Sequence, residues 1–302
     1  MMMTSPSSSC SPDDRMICQS HDFQTMMQIF YLRLAYTTCS YACSPVELYG
    51  YVAVRDLLNP MRNYIFNRPR GDPFVVGHDG IIKMTGPKRG IRMEAHVLIE
   101  FDLKIIKKGG GEAEDDLQLI DCVASFSHRT SRHATANRRR IDGDCGAVDI
   151  MYALLDGAAE ATVQVGISDL ASLSQDNNGL RLRAAAFYTK QLSGQFDLFD
   201  GIVAAEASEL SKTVVAVVKE SHLLVALILS QTGGGTDRPI VQNCCTFPVQ
   251  KHGNRVSVFK FGLATVEVKV TWSTLDIPQS RLGPNCFESE HMAAEGVEYD
   301  GD

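Results

Sequence analysis

A chain of 302 residues with 44% apolar and 22% charged residues carries enough apolar surface to offset the entropy of ordering, which excludes wholesale disorder, and it is long enough for one large β core or two smaller ones. The formal net charge of -7 argues against generic attraction to nucleic acid or anionic membrane, so any polyanion site has to be local. The longest apolar run, Leu223 to Leu229, is far below the roughly 20 residues that span a bilayer, so no transmembrane segment is read, and nine cysteines without framework spacing fit a reducing compartment, the cytoplasm.

Residues 1–26 are Ser-rich and place Asp13 and Asp14 where a secretory signal would be apolar; they read as a disordered tail. Downstream, four stretches alternate apolar and polar residues, the signature of strands with one face on a core. Their inward sets are Val46, Leu48, Gly50, Val52 and Val54; Val97, Ile99, Phe101, Leu103 and Ile105; Ala161, Val163, Val165 and Ile167; and Ala264, Val266, Val268, Val270 and Trp272. Weaker strand signals run over 29–34, 64–67, 81–85, 117–126, 180–188, 214–218, 223–229 and 256–261. Between Leu119 and Ile120 the alternation slips by one residue, which predicts a β-bulge. Asp79-Gly80 and Gly253-Asn254 carry hairpin-turn chemistry, and short apolar segments preceding longer ones (Ile91 before Val97, Val148 before Ala161, Val214 before Leu223, Val256 before Ala264) read as successive hairpins. Helical periodicity is confined to a turn or two near 55–61 and 204–212.

The expected fold is all-β: an antiparallel β-sandwich or barrel-like architecture, as one unit or as two packed sandwich halves, with few short helices. The folded region spans 27–276, with halves 27–130 and 145–276 about a polar, basic connector from Ser127 to Gly146, and 277–302 is an acidic disordered tail.

The blocks Val46 to Asp56, Arg62 to Asn67 and Thr85 to Gly90, followed in order by Asp115 to Asp121, Gly143 to Ala147 and Val268 to Leu275, resemble a plant family abundant in grasses, domain of unknown function 6598. The resemblance covers Met27 to Leu275 and implies no established activity, cofactor or catalytic residue. Cys122 and Cys145 depart from it, standing where the family pattern has small or aromatic residues.

The feature that most invites a function is basic: Arg129, Arg132, Arg138, Arg139 and Arg140, with His128 and His133 among them, form a candidate polyanion-binding loop, because guanidinium groups grip phosphate through paired, charge-assisted hydrogen bonds. Lys88 and Arg89, with Lys83 and Arg92, form a second basic group around Gly86-Pro87 that would extend the patch if the two are adjacent. The bland alternative is a solvated loop, and aromatic partners for nucleobases are missing between Arg129 and Ile141. Cys10, Cys18, His21, Cys39 and Cys43 have zinc-type side chains but no finger spacing, and Asp142 with Asp144, or Asp115, Asp116 and Asp121, lack the offsets of a calcium loop. No nucleophile elbow, zinc-protease helix or phosphate loop occurs. Accordingly no catalytic residue, metal ligand or cofactor is assigned. The preferred reading is a non-catalytic binding or interaction module whose partner is a protein or a local polyanion. Two alternatives stay open: a hydrolase-type enzyme with a dispersed loop site, using His96 or His128 with Glu94 or Asp121, and a β-sandwich that associates with membranes through calcium.

Overall fold

The computed structural model describes residues 21–38, 45–56, 60–94, 96–107, 112–129, 131–132, 135–168, 180–188, 195–203, 209–231, 238–262 and 264–276. Its first ten strands are β1 (His21–Asp22), β2 (Gln24–Thr37), β3 (Val46–Arg55), β4 (Asn63–Arg68), β5 (Phe74–Val76), β6 (Ile81–Ile82), β7 (Ile91–Arg92), β8 (His96–Ile105), β9 (Leu117–Ser127) and β10 (Asn137–Asp142). The remainder are β11 (Gly146–Ser168), β12 (Leu180–Tyr188), β13 (Gln195–Val203), β14 (Glu209–Val218), β15 (His222–Gln231), β16 (Arg238–Pro248), β17 (Gly253–Lys260), β18 (Thr265–Ser273) and β19 (Leu275–Asp276). A single 3₁₀ turn, Ala113–Asp115, is the helical element among the described residues. All-β architecture with antiparallel pairing is what the alternation required, and the sheets stack without closing into a barrel.

The organising element is β11. Its first half pairs with β2 and β10 and its second half with β14 and β18, so one strand of 23 residues serves two sandwiches. The first core lies between this sheet and the sheet ordered β4-β3-β8-β9, and gathers Leu32, Val52, Phe66, Phe101, Phe126 and Ile150. The second lies against β13-β12-β15-β16 and gathers Val163, Leu182, Val225, Leu227, Val268 and Trp272. Along β11 the inward residues are even-numbered up to Leu154 and odd-numbered from Ala159. The change of parity falls between Leu155 and Ala158, where the register with β2 slips, because one extra residue in a strand turns every later side chain to the opposite face. A small apolar cluster of Met26, Ala153, Leu155, Ala158 and Ala216 fills the waist between the cores.

The bulge expected at Leu119 is present: Leu103 pairs with Ile120 and Lys104 with Gln118, leaving Leu119 unpaired but buried. Other expectations are corrected. Val75 and Val76 pair with β3 whereas Ile81 and Ile82 pair with β2, so Asp79-Gly80 turns the chain from one sheet to the other instead of closing a hairpin. The same holds at Gly253-Asn254, since β16 pairs with β15 and β17 with β18. Of the four supposed successive hairpins only β17-β18 is one; Val148 and Ala161 lie on a single strand, and the other two pairs divide between sheets. Turn dipeptides dictate local backbone, not which edge the next strand finds. The stretch 209–212, expected to be helical, is the start of β14; β1 and the first residues of β2 fall within the segment 1–26 assigned to the tail. The basic connector 127–146 contains β10, and the cores divide within β11.

A polar joint crosses the waist. Asp56, buried at the end of β3, accepts from both terminal nitrogens of Arg89 (2.7 and 2.8 Å) and from the backbone N–H of Arg92, while Gly90 N–H donates to Glu160 on β11 at 2.6 Å. Burial pushes the Glu160 carboxyl above its usual range, against the opposing pull of the Gly90 N–H and the Arg89 charge. A carboxyl raised in the folded state favours folding while protonated, so its contribution is present in acid and is lost as pH rises through the folded value. Glu160→Gln keeps an acceptor for Gly90 and removes the charge. Its melting temperature should equal or exceed the parent's at pH 8, with the difference shrinking toward pH 4; a uniform loss at both ends would refute this.

Candidate functional site

Strands β2, β11 and β10 lie side by side and set their outward residues in rows. Tyr31 stands opposite Met151 and Met151 opposite Arg138; Arg33 opposite Asp149 and Asp149 opposite Arg140; Tyr36 opposite Ala147 and Ala147 opposite Asp142. Ile150 and Leu32, in the alternate rows, point into the first core. Register shifts around Met151/Tyr152 and Ala147/Val148 leave Phe30 and Ala35 without a ladder partner, which is how Tyr31, Arg33 and Tyr36 come to share one face despite uneven spacing.

Asp149 is the electrostatic centre. It is buried and grips Arg140 through two bonds, Nε to Oδ1 at 2.8 Å and Nη2 to Oδ2 at 3.0 Å, with Arg138 Nε at 4.0 Å. The Arg140 guanidinium holds its carboxyl below the usual range, and Arg138 and Arg33 add to the effect. One carboxylate therefore faces three guanidinium groups. Arg138 keeps 62% and Arg140 44% of the side chain exposed. Tyr36 is 45% exposed, and its hydroxyl donates to Asp142 at 3.2 Å, which raises the phenol's affinity for its proton. Arg140 Cζ lies 5.8 Å from the Tyr36 ring centre.

The basic residues read from the sequence separate into four groups. Arg138 and Arg140 belong to this face. Arg129 and Arg132 are exposed in the turn leading to β10, where the Arg132 backbone N–H and carbonyl are both held by the Asn137 amide. Arg139 points the other way: it stands opposite Ile150, stacks its guanidinium 4.5 Å over the Phe126 ring and donates to the Ser125 carbonyl. A charge on the core side of an edge strand protects that edge from unwanted pairing, and Arg139 also closes the flank of the sandwich. Arg89 is committed to Asp56. Since Gly90, next to Lys88 and Arg89, bonds Glu160 while Arg139 faces Ile150, the second basic group sits roughly 30 Å further along β11, and the two do not combine.

The alternatives find little geometric support. His96 shares a hydrogen bond with Ser125, and Asp121 lies about 20 Å away along β9, at the rise of a strand. Glu94 pairs with Arg92. Asp116 accepts from Arg70, Tyr49 and the Lys107 N–H, with Arg70 foremost in holding its pKa down to about 2. Among the described residues no three His, Cys, Asp or Glu side chains converge as a metal-ligand set. Cys10, Cys18, Cys39, Cys43 and His133 lie outside the described residues. No described helix is long and apolar enough to cross a membrane.

The family model described as a domain of unknown function (DUF6598) matches residues 26–270. The chain belongs to this family. The matched span contains both the waist joint, through Asp56, Arg89 and Gly90, and the strand β11 that carries Asp149. No curated protein matches the chain. Solved structures that it resembles include human GIVD cytosolic phospholipase A2 (10% identity, 85% of this chain and 33% of that one, TM-score 0.26). Also similar are the paired C2 domains, A and B, of extended-synaptotagmin 2 (8% identity, 91% and 98%, TM-score 0.27) and a longer segment of that protein in which the SMP domain precedes them (10% identity, 83% and 57%, TM-score 0.28). The chain spans about a third of the phospholipase, and at these scores the likeness carries no argument about fold or activity.

Proposed function

We propose that this chain is a non-catalytic binding module, cytoplasmic in setting, that holds a polyanion on the outward face of β2, β11 and β10. The observation that carries the reading is the excess of guanidinium over carboxylate at Asp149: Arg33, Arg138 and Arg140 surround one buried aspartate, on an open face at the edge of a rigid sheet. Over the wider patch Arg33, Arg129, Arg132, Arg138 and Arg140 outnumber Asp142, Asp144 and Asp149 in a chain that is acidic overall. Sheet pairing favours binding because little backbone entropy at Arg33, Arg138 and Arg140 remains to be lost when the ligand arrives. The cytoplasmic setting rests on nine cysteines without a framework.

Salt elution from heparin tests this reading. Arg140 is left in place, because its removal would strand the buried Asp149. The double variant Arg33→Gln/Arg138→Gln, which leaves the Arg140–Asp149 pair intact, should leave the column at distinctly lower salt than the parent with little change in melting temperature. Elution of parent and variant together would overturn the proposal.

A further inference from the structure

We infer that the ligand of this face is a single-stranded nucleic acid, its bases stacked on Tyr31 and Tyr36 and its phosphates held by Arg33 and Arg138; the inference rests on the polyanion reading above. Arginines alone would serve any polyanion. What distinguishes the face is the order of its rows, aromatic at Tyr31, basic at Arg33, aromatic at Tyr36, with Arg138 and Arg140 on the edge strand β10 beyond β11. Same-face rows on a strand repeat at about 6.6 Å, so rings and charges alternate along β2 on the scale of single nucleotides. A flexible strand with flat bases between its phosphates matches that alternation. A duplex hides its bases, and a sulfated sugar has none.

The tyrosines come from β2, more than a hundred residues before the arginines of β10, which is why the basic segment taken alone lacks stacking partners. Tyr36 suits the role of a stacking platform. Nearly half exposed and tethered through its hydroxyl to Asp142 across the sheet, it loses little freedom when a base settles on it. The carboxylate of Asp142 points the same way. It would repel a bare polyanion but can accept from the amino or imino N–H of a base.

Fluorescence anisotropy on the full chain tests this, with a fluorescein-labelled oligouridylate, an abasic oligomer of the same length, heparin and polyglutamate as probes. On the parent protein the oligouridylate should bind at least tenfold tighter than the abasic strand, a comparison that needs no variant. Tyr31→Leu and Tyr36→Leu should each weaken oligouridylate by roughly tenfold, the effect of losing one stacked base, and leave heparin within about twofold. Tyr36→Phe should restore binding because the ring remains. Arg33→Gln/Arg138→Gln should reduce the slope of log K against log salt by about 1.4, the share of two phosphates on a single strand. Equal affinity for the abasic and base-bearing strands, or polyglutamate bound as tightly as oligouridylate, would overturn the inference and leave heparin binding standing. Failure to bind heparin and oligouridylate alike would overturn the polyanion reading as well.

Discussion

Gly50→Ala should destabilise the first sandwich by about 2–5 kcal/mol, measured by thermal or urea unfolding. Gly50 sits in β3 at φ 107°, paired with Leu103 of β8 on one side and Arg68 of β4 on the other. A Cβ there would stand 2.1 Å from the Asp102 carbonyl oxygen, a backbone atom in the middle of a sheet that cannot swing aside. The left-handed conformation contributes about 1–2 kcal/mol of the penalty and displacement of β8 the remainder. Two controls separate the contributions. Gly262→Ala has φ 76° and open space, so it should show the conformational part alone; Gly71→Ala meets nothing within 4 Å and should be neutral or slightly stabilising through the unfolded chain. If Gly50→Ala melts no lower than Gly262→Ala, the close approach of β3 and β8 is wrong.

Gly50 also shows how far local pattern reaches. It reads as an inward position on an alternating strand, and the alternation holds for β3, β8, the second half of β11 and β18, whose inward residues Leu48, Phe101, Val163 and Trp272 all lie in the cores. The slip at Leu119 is legible for the same reason, since a bulge changes parity within one strand. Pairing is not legible. Parity says which face a residue takes but not which edge the strand joins, so Asp79-Gly80 and Gly253-Asn254 read as hairpins where the chain crosses between sheets. The unity of β11 is hidden by its own bulge: the switch from Leu154 to Ala159 looks, residue by residue, like two strands with a break.

The candidate face is half legible. Arg138 and Arg140 stand out as charge, and Arg139 stands out equally although its guanidinium closes the sandwich flank over Phe126. Only strand parity divides them, and the segment reads as a loop, where parity has no meaning. Arg33, Tyr31 and Tyr36 lie in the strand signal at 29–34 and just beyond it, yet joining them to β10 requires the intervening β11 and a register that no local pattern specifies. Asp149, the residue that gathers the arginines, has a signal of its own as the lone acid among Ala147, Val148, Ile150 and Met151, since a carboxylate in such a run needs a cationic partner.

Asp56→Ala should cost about 3–5 kcal/mol, because it removes the carboxylate from a buried ion pair and leaves the guanidinium in place. Asp56 accepts two bonds from Arg89 and one from the Arg92 backbone, and its side chain is fully shielded from solvent. Most of the loss should vanish when Arg89 is also replaced. The double variant Asp56→Ala/Arg89→Met should be more stable than Asp56→Ala alone, since the remaining cost is a single N–H acceptor and some packing. Loss of Asp56 also reaches the second sandwich. Arg89 already lowers the Glu160 carboxyl against the effect of burial, and with Asp56 gone that charge is no longer neutralised by the Asp56 carboxylate. The pH dependence assigned to Glu160 should therefore weaken in Asp56→Ala, the fall in stability above the acid range becoming shallower than in the parent. Melting curves of the parent, Asp56→Ala, Glu160→Gln and the Asp56→Ala/Glu160→Gln pair across pH 4 to 8 decide the matter. Strictly additive effects with unchanged pH slopes would show that the two carboxylates do not share Arg89 and act on the waist independently.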